Sequence, residues 1–309
     1  MWFKNIIIFK FLTPFAFDEE ALQQALNDKR FRPCNDLELK TMGWVTPLGR
    51  DSELLYHAAN NCFFITAKTQ ERVLPATVVR EAVEERIEEI EIKENRTVRQ
   101  TEKATIRDEV LQRLIPRAFK RSQKLSAYID VEKGWLLVDT ASRKKAEDFA
   151  TLLRTSLGSL PVVPPKVCQS PSVIMTDWLK TQQLPTAFML ADSCELTEAL
   201  ESGAMVNCKR QDLFADEISA HLDAGKMVSR LALTWLDRVS CVVSEDLIIR
   251  RFQFMECVQE LAQEVDTDDR NEQFDVDFSI LSGELREFLP QVFEVFGGED
   301  MDAYETVGK

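Results

Sequence analysis

The chain is poor in glycine and nearly devoid of histidine. Its ten glycines include none in G-x-G-x-x-G or G-x-x-x-x-G-K-[ST] order, which excludes the usual phosphate-cradling loops. Ala224-Gly225-Lys226-Met227 lacks both the upstream glycine and the hydroxyl residue. Only two histidines occur, His57 and His221, and each reads as a structural or surface side chain rather than a general base. No G-x-S-x-G elbow appears. The seven cysteines are odd in number and form no C-x-x-C pair. Several sit in apolar runs, as Cys62 and Cys241 do. They read as buried free thiols of a reducing cytosol, and their spacing argues against structural zinc. No apolar run approaches the roughly 18–20 residues of a membrane span. Residues 2–12 are interrupted by Lys4 and Lys10, and no small-residue cleavage site follows, so they read as a buried first strand and not a signal sequence.

What is present is charge, unevenly placed. The 309 residues carry a net charge of −14. From Glu256 onward there are 16 acids and 3 bases, whereas the other 255 residues carry 36 acids and 35 bases. The acidity belongs to the C-terminal segment. It opposes indiscriminate anion binding but leaves room for a local basic groove. The length suits two or three domains with a sizeable core.

Residues 76–124 organise the rest. Val79, Val83, Ile87 and Ile90 form one narrow apolar stripe, and Ile106, Val110 and Leu114 a second. These predict two amphipathic helices with a break near Asn95, projecting from a larger body. Residues 76–112 hold ten acids and seven bases, as a solvated helix with i,i+4 pairs would. Then Arg113, Arg117, Lys120, Arg121 and Lys124 follow without an acid, at offsets 0, 4, 7, 8 and 11. A helical period puts them on one face, and such a face calls for an anionic partner. Phe119 lies among these charges. Two readings stay open for it, a core residue or an interface anchor.

The remaining pattern predicts α+β with mainly antiparallel sheets and no internal repeat. Strands are expected at 2–12, 44–49, 62–68, 125–131, 135–139, 187–191, 204–208, 226–235, 239–243 and 247–254. Helices are expected at 18–30, 142–156, 172–181, 215–224, 256–265 and 283–296. The prolines of 160–165 enforce an extended segment and a candidate domain boundary. Three further basic clusters stand out: Arg143-Lys144-Lys145, Lys209-Arg210-Gln211 and Arg250-Arg251. The second follows a strand and precedes a helix start, where backbone amides add to the cations in holding a phosphate. Asp266, Asp268, Asp269, Asp275 and Asp277 invite comparison with a two-metal nuclease, but a solvated acidic loop accounts for them better. No cofactor and no metal are called for.

Several segments, taken in order, resemble the bacterial recombination-associated RdgC family. They are Trp2-Phe3-Lys4-Asn5, Met42-Gly43-Trp44-Val45, Pro116-Arg117-Ala118-Phe119, Lys144-Lys145-Ala146-Glu147-Asp148, residues 156–164, Lys209-Arg210-Gln211-Asp212-Leu213, Phe274-Asp275-Val276-Asp277-Phe278 and Gly283-Glu284-Leu285. The resemblance implies a ring-shaped homodimer around double-stranded DNA, binding without sequence preference and restraining RecA-driven recombination. No catalysis is implied. It divides the chain into a body (1–75 and 120–165), a helical tip (76–119) and a base for dimerisation (166–309). Phe119, beside Arg117, becomes the tip contact with the partner. Lys209, Arg210 and Gln211 become DNA-facing, with Arg210 where the family is expected to have lysine. Arg113, Arg117, Lys120, Arg121 and Lys124 join them as DNA-binding candidates. The expected location is cytoplasmic and nucleoid-associated. The rival readings are a metal-dependent nuclease using the C-terminal carboxylates and an interaction scaffold whose acidic tail mimics DNA.

Overall fold

The computed structural model describes residues 2–49, 52–198, 203–263 and 269–305. In chain order the elements are β1 (Ile7–Phe11), α1 (Glu19–Asn27), β2 (Lys40–Val45), β3 (Tyr56–Ala59), β4 (Cys62–Val73), α2 (Ala76–Glu94), α3 (Gln100–Leu114), β5 (Phe119–Asp130), β6 (Trp135–Val138), α4 (Arg143–Leu157), β7 (Val162–Val163) and α5 (Pro171–Thr181). Then come β8 (Phe188–Glu198), β9 (Met205–Lys209), α6 (Asp216–Asp223), β10 (Lys226–Trp235), β11 (Val239–Ser244), β12 (Ile249–Phe254), α7 (Glu256–Gln263), α8 (Arg270–Glu294) and α9 (Met301–Glu305). The class is α+β, as the pattern predicts. A seven-stranded sheet runs β2-β4-β5-β6-β1-β7, with β3 also on β4, and a five-stranded sheet runs β12-β11-β10-β8-β9. All their strand pairs are antiparallel. Among the described residues no helix is long and apolar enough to cross a membrane.

The first sheet is apolar on both faces because strand residues alternate sides. Ile8, Phe64, Tyr128 and Leu137 face one way and share a cluster with α8 and the second sheet. Phe9, Ile65, Ile129 and Leu136 face the other way, against Leu22 and Leu26 of α1 and Phe149 and Leu153 of α4. Gly43 serves a close approach. A Cβ there would lie 2.5 Å from the Phe31 Cα. Beside it the buried Trp44 stacks edge-on against Phe149 and donates its indole N–H to Ser156 Oγ at 2.8 Å.

Helix α8 joins the two sheets. Phe278 meets Phe64 and Tyr128 of the first, and Phe288 meets Trp235 and Phe252 of the second. Arg286 adds a charged tie, donating from Nε to the fully buried Asp130 at 2.6 Å. The helix starts at Arg270, well before the expected residue 283. Asp275 and Asp277 therefore sit on a helix, which corrects the acidic-loop reading. Phe274 and Phe278, one turn apart, bury that early stretch. Asp269 is the N-cap, accepting from the Asn271 N–H at 2.8 Å. Asp266 and Asp268 lie outside the described residues.

Helices α2 and α3 pack on each other around Val98, Ile106 and Val110, a small cluster separate from the two main ones. The expected break is Asn95, in the left-handed region at φ 49. Surface pairs Arg80–Glu84 and Arg86–Glu89 decorate α2.

Candidate nucleic-acid interface

One face of the second sheet is apolar and covered by helices. The other is polar and open. On it, cross-strand register lines up Asn207 of β9, Glu195 of β8, Arg230 of β10 and Ser244 of β11. Lys209 lies two residues along β9 on the same side, and Arg250 of β12 stands opposite Val242. Glu195 is buried and satisfied. It accepts from Arg230 Nη1 at 2.9 Å, Ser229 Oγ at 3.2 Å and Asn207 Nδ2 at 3.5 Å. Strand β12 carries a bulge: Ser240 pairs with Gln253 and Val242 with Arg250, so Arg251 and Phe252 stand against Cys241 alone. Arg251 takes φ 50 there and stays exposed. Arg250 donates from Nε to Ser244 Oγ at 3.0 Å and from Nη1 to the Ala141 carbonyl at 3.4 Å. Burial, then the neighbouring Arg230, pulls its pKa below the ordinary arginine value. Lys209, Glu195, Arg230, Arg250 and Arg251 together line a cleft of about 80 Å³.

Lys209 closes β9, and Arg210 follows at φ 54, exposed. The Gln211 N–H donates to the Asp192 carbonyl at 3.3 Å. Helix α6 follows at Asp216, one residue after its expected start, and Asp216 and Glu217 already lie in its first turn, where they complement its positive end.

A second cleft, of about 190 Å³, lies on the first sheet between β2, β4, β5 and α4, and its lining includes Lys40, Glu71, Arg121, Lys124, Lys145 and Asp148. Lys145 donates to Gln123 Oε1 at 3.1 Å and Lys40 pairs with Asp148 at 2.7 Å. Asp139 lines it too. Burial raises its pKa, although Oδ1 accepts the N–H groups of Lys4 and Asn5 at 2.8 and 3.0 Å. Residues 139–145 border both clefts. Asp139, Thr140 and Lys145 line this one, Ala141 accepts Arg250 of the other, and Arg143 pairs with Asp246 at 2.9 Å while repelling Arg250. The three clusters 143–145, 209–211 and 250–251, remote in sequence, are thus neighbours in space.

The single basic helical face is not found. Pro116 stops helix at a short 3-10 turn, residues 115–117, and β5 then pairs with β4 from Phe119 opposite Val73 to Asp130 opposite Cys62. Arg113 stays on α3 and Arg117 in the turn. Lys120 and Lys124 take one side of β5 and Arg121 the other, because strand residues alternate. Lys120 donates to the Cys34 carbonyl at 3.2 Å. The turn is fixed by Arg72, whose buried guanidinium donates to the Ile115 and Pro116 carbonyls at 2.6 and 3.0 Å. Phe119, just beyond, is 88% exposed. The core reading of this ring is therefore wrong. A cleft of about 680 Å³ opens between the ends of β2 and β4 and the two helices, with Leu74, Val79, Val83 and Leu111 among its apolar lining and Lys40, Glu71, Arg72, Arg80 and Arg107 among its charged lining.

A family model described as "Putative exonuclease, RdgC" matches residues 1–299. The chain belongs to the RdgC family. Relatives named recombination-associated protein RdgC include those of Tolumonas auensis, 42% identical over 299 residues, and Pseudomonas aeruginosa PAO1, 41% identical over 302 residues. Each alignment covers 97% of this chain and 99% of the relative. That of Pseudomonas putida GB-1 is 42% identical with the same coverage.

Within this RdgC-family chain several resemblance motifs are structural. Trp44 and Ser156 meet in the core, Glu284 pairs with Arg238, and Asp275 Oδ1 lies 3.0 Å from His57 Nε2, accepting from the imidazole when that nitrogen carries its proton. His57 lies within β3 and contacts Phe274 and Phe278 edge-on. Among the described residues no three His, Cys, Asp or Glu side chains are grouped to hold a metal. Five cysteines are buried, while Cys168 and Cys257 are exposed. Sequence reasoning passed over Arg230 and Lys40. The available signal for Arg230 was its alternation with the apolar Leu231, Leu233 and Trp235 of the same strand, which marks a face turned away from the core.

Proposed function

We propose that this chain binds double-stranded DNA without sequence preference and without catalysis. In this reading two copies close into a ring around the duplex and limit RecA's access to it, in the cytoplasm at the nucleoid. The observation that carries it is the meeting in space of the basic clusters 143–145, 209–211 and 250–251, with Lys145 on one cleft and Lys209, Arg250 and Arg251 on the other, in a chain whose excess of acid lies in its C-terminal segment. Such a surface meets phosphates, and the relatives' names tie the family to recombination. Lys209, Arg210 and Gln211 face the duplex, joined by Arg121 and Lys124. Arg113 at the end of α3, Arg117 in the turn and Lys120 at the start of β5 contribute beside them.

The division into body (1–75 and 120–165), tip (76–119) and base (166–309) belongs to the same proposal. So does the tip contact. Phe119 is an exposed aromatic with a cleft of mixed lining, including Leu74, Val79, Val83 and Leu111, on the same chain, so two copies related by a twofold axis can each fill the other's cleft. Arg117 flanks that contact.

The test is a duplex-binding salt series on two unrelated sequences. Replacing Lys209 and Arg210 with alanine weakens both equally and makes the log–log slope shallower by roughly 0.9 for each phosphate no longer neutralised. An unchanged slope removes the loop from the DNA. The family description keeps an exonuclease reading in view. Divalent-metal-dependent cleavage abolished by Asp275→Asn would favour it. Binding of RecA in the absence of DNA would favour the scaffold reading.

A further inference from the structure

We infer that the cleft on the open face of the second sheet seats one backbone phosphodiester, with Arg250 as the receiving cation and Glu195 as an internal competitor that lowers the affinity. The inference rests on the duplex-binding reading and assigns its contact residues. Four cations, Lys209, Arg230, Arg250 and Arg251, line the cleft against a single carboxylate. That carboxylate is committed to Arg230. Arg250 is half-buried and forms no ion pair among the described residues, and its two hydrogen bonds go to neutral oxygens. A guanidinium has five N–H donors, so three remain for a ligand. Burial and the neighbouring Arg230 and Arg143 oppose its charge, while Asp246 and Glu195 favour it without pairing directly with it. A half-buried arginine whose hydrogen bonds go only to neutral oxygens is relieved by an anion that arrives with its own acceptor oxygens.

The bulge supports the same assignment. It inserts a residue into β12, so that Arg250 stays on the open face and Arg251 reaches the rim in a left-handed conformation. The cleft holds about 80 Å³ and no aromatic ring lines it. It admits a tetrahedral oxyanion, whereas a single-stranded base would want an aromatic platform. The ligand is therefore backbone, not base. Free pyrophosphate shares the chemistry and is the other source to be separated.

Glu195 gives the inference its sign. Glutamine in its place keeps one acceptor oxygen for Arg230 and turns its amide N–H toward the Ser229 hydroxyl, which can accept, but withdraws the negative charge. Arg230 then becomes available to the phosphate. The experiment is duplex binding across a salt series by wild type, Arg250→Ala and Glu195→Gln, each checked by melting temperature, with pyrophosphate as competitor. Arg250→Ala weakens binding and makes the log–log slope shallower by roughly 0.9, whereas Glu195→Gln tightens binding several-fold and steepens the slope. A gain of affinity cannot come from misfolding, so the second variant decides even if the first melts early. Duplex binding by wild type that neither variant alters overturns the seat and leaves the duplex-binding reading intact. Wild type that binds no duplex overturns both. Pyrophosphate affinity lost in Arg250→Ala with duplex binding unchanged makes the cleft a small-anion site and also overturns the inference.

Discussion

Phe119→Ala separates an interface residue from a structural one. The ring is 88% exposed, so its removal leaves no cavity within the chain. Exposed substitutions of this kind change folding stability by no more than about 0.5 kcal/mol. In a chain of this length that moves Tm by less than about 2 °C. A buried phenylalanine would instead cost about 3–5 kcal/mol. At a contact between two copies, loss of an aromatic anchor costs about 2–4 kcal/mol. Converted at 1.4 kcal/mol per decade, that weakens the contact about 30- to 700-fold. The second contact of the ring, in the base, is untouched, so the variant remains dimeric but open. Differential scanning fluorimetry, sedimentation and retention on closed-circular DNA, measured on one preparation, make the assay. The expected result is unchanged Tm, unchanged dimer mass and no retention. A Tm lower by many degrees, or retention equal to wild type, refutes the reasoning.

The other expectations concern the scaffold. Gly43→Ala places a Cβ 2.5 Å from the Phe31 Cα, and backbone cannot yield as a side-chain tip does. It lowers stability by about 1–3 kcal/mol in urea unfolding, and an unchanged midpoint contradicts the packing. Asp139→Asn keeps an oxygen for the Lys4 and Asn5 amides but removes the buried charge. Because burial raises the folded-state pKa of Asp139, its stabilising effect is full below the unfolded-state value and is lost as pH rises through the folded-state value. The variant therefore gains on wild type as pH rises through the mildly acidic range, read as the difference in Tm. A difference that shrinks with rising pH contradicts the assignment.

Much of the architecture was legible because apolar period and turn chemistry agree. The break at Asn95, the 125–139 hairpin and the proline-enforced 160–165 segment follow from residues alone. The start of β5 did not, for a physical reason. Residues 119–124 are almost all polar on both sides of the strand, so no apolar alternation betrays it, and the basic spacing happens to fit a helix as well. Only pairing with β4 decides the conformation. Helix α8 hid its first three turns beneath acidic residues, although Phe274 and Phe278 at i,i+4 carried the helical signal. The basic clusters were visible one by one. Their convergence was not, because it depends on the register of β8, β9, β10 and β12 and on Ala141 meeting Arg250. The exposure of Phe119 lay equally beyond reach, since a phenylalanine among charges fits a core or an anchor until its neighbours are placed.

Enclosure of the duplex is the central claim, and one measurement addresses it most directly. The protein is loaded on closed-circular DNA at low salt, the salt is raised until rebinding from solution stops, and half of the sample is cut once with a restriction enzyme. A closed ring stays on the intact circle and slides off the cut molecule within the same interval. Equal loss from circle and cut DNA, or equal retention on both, contradicts the ring.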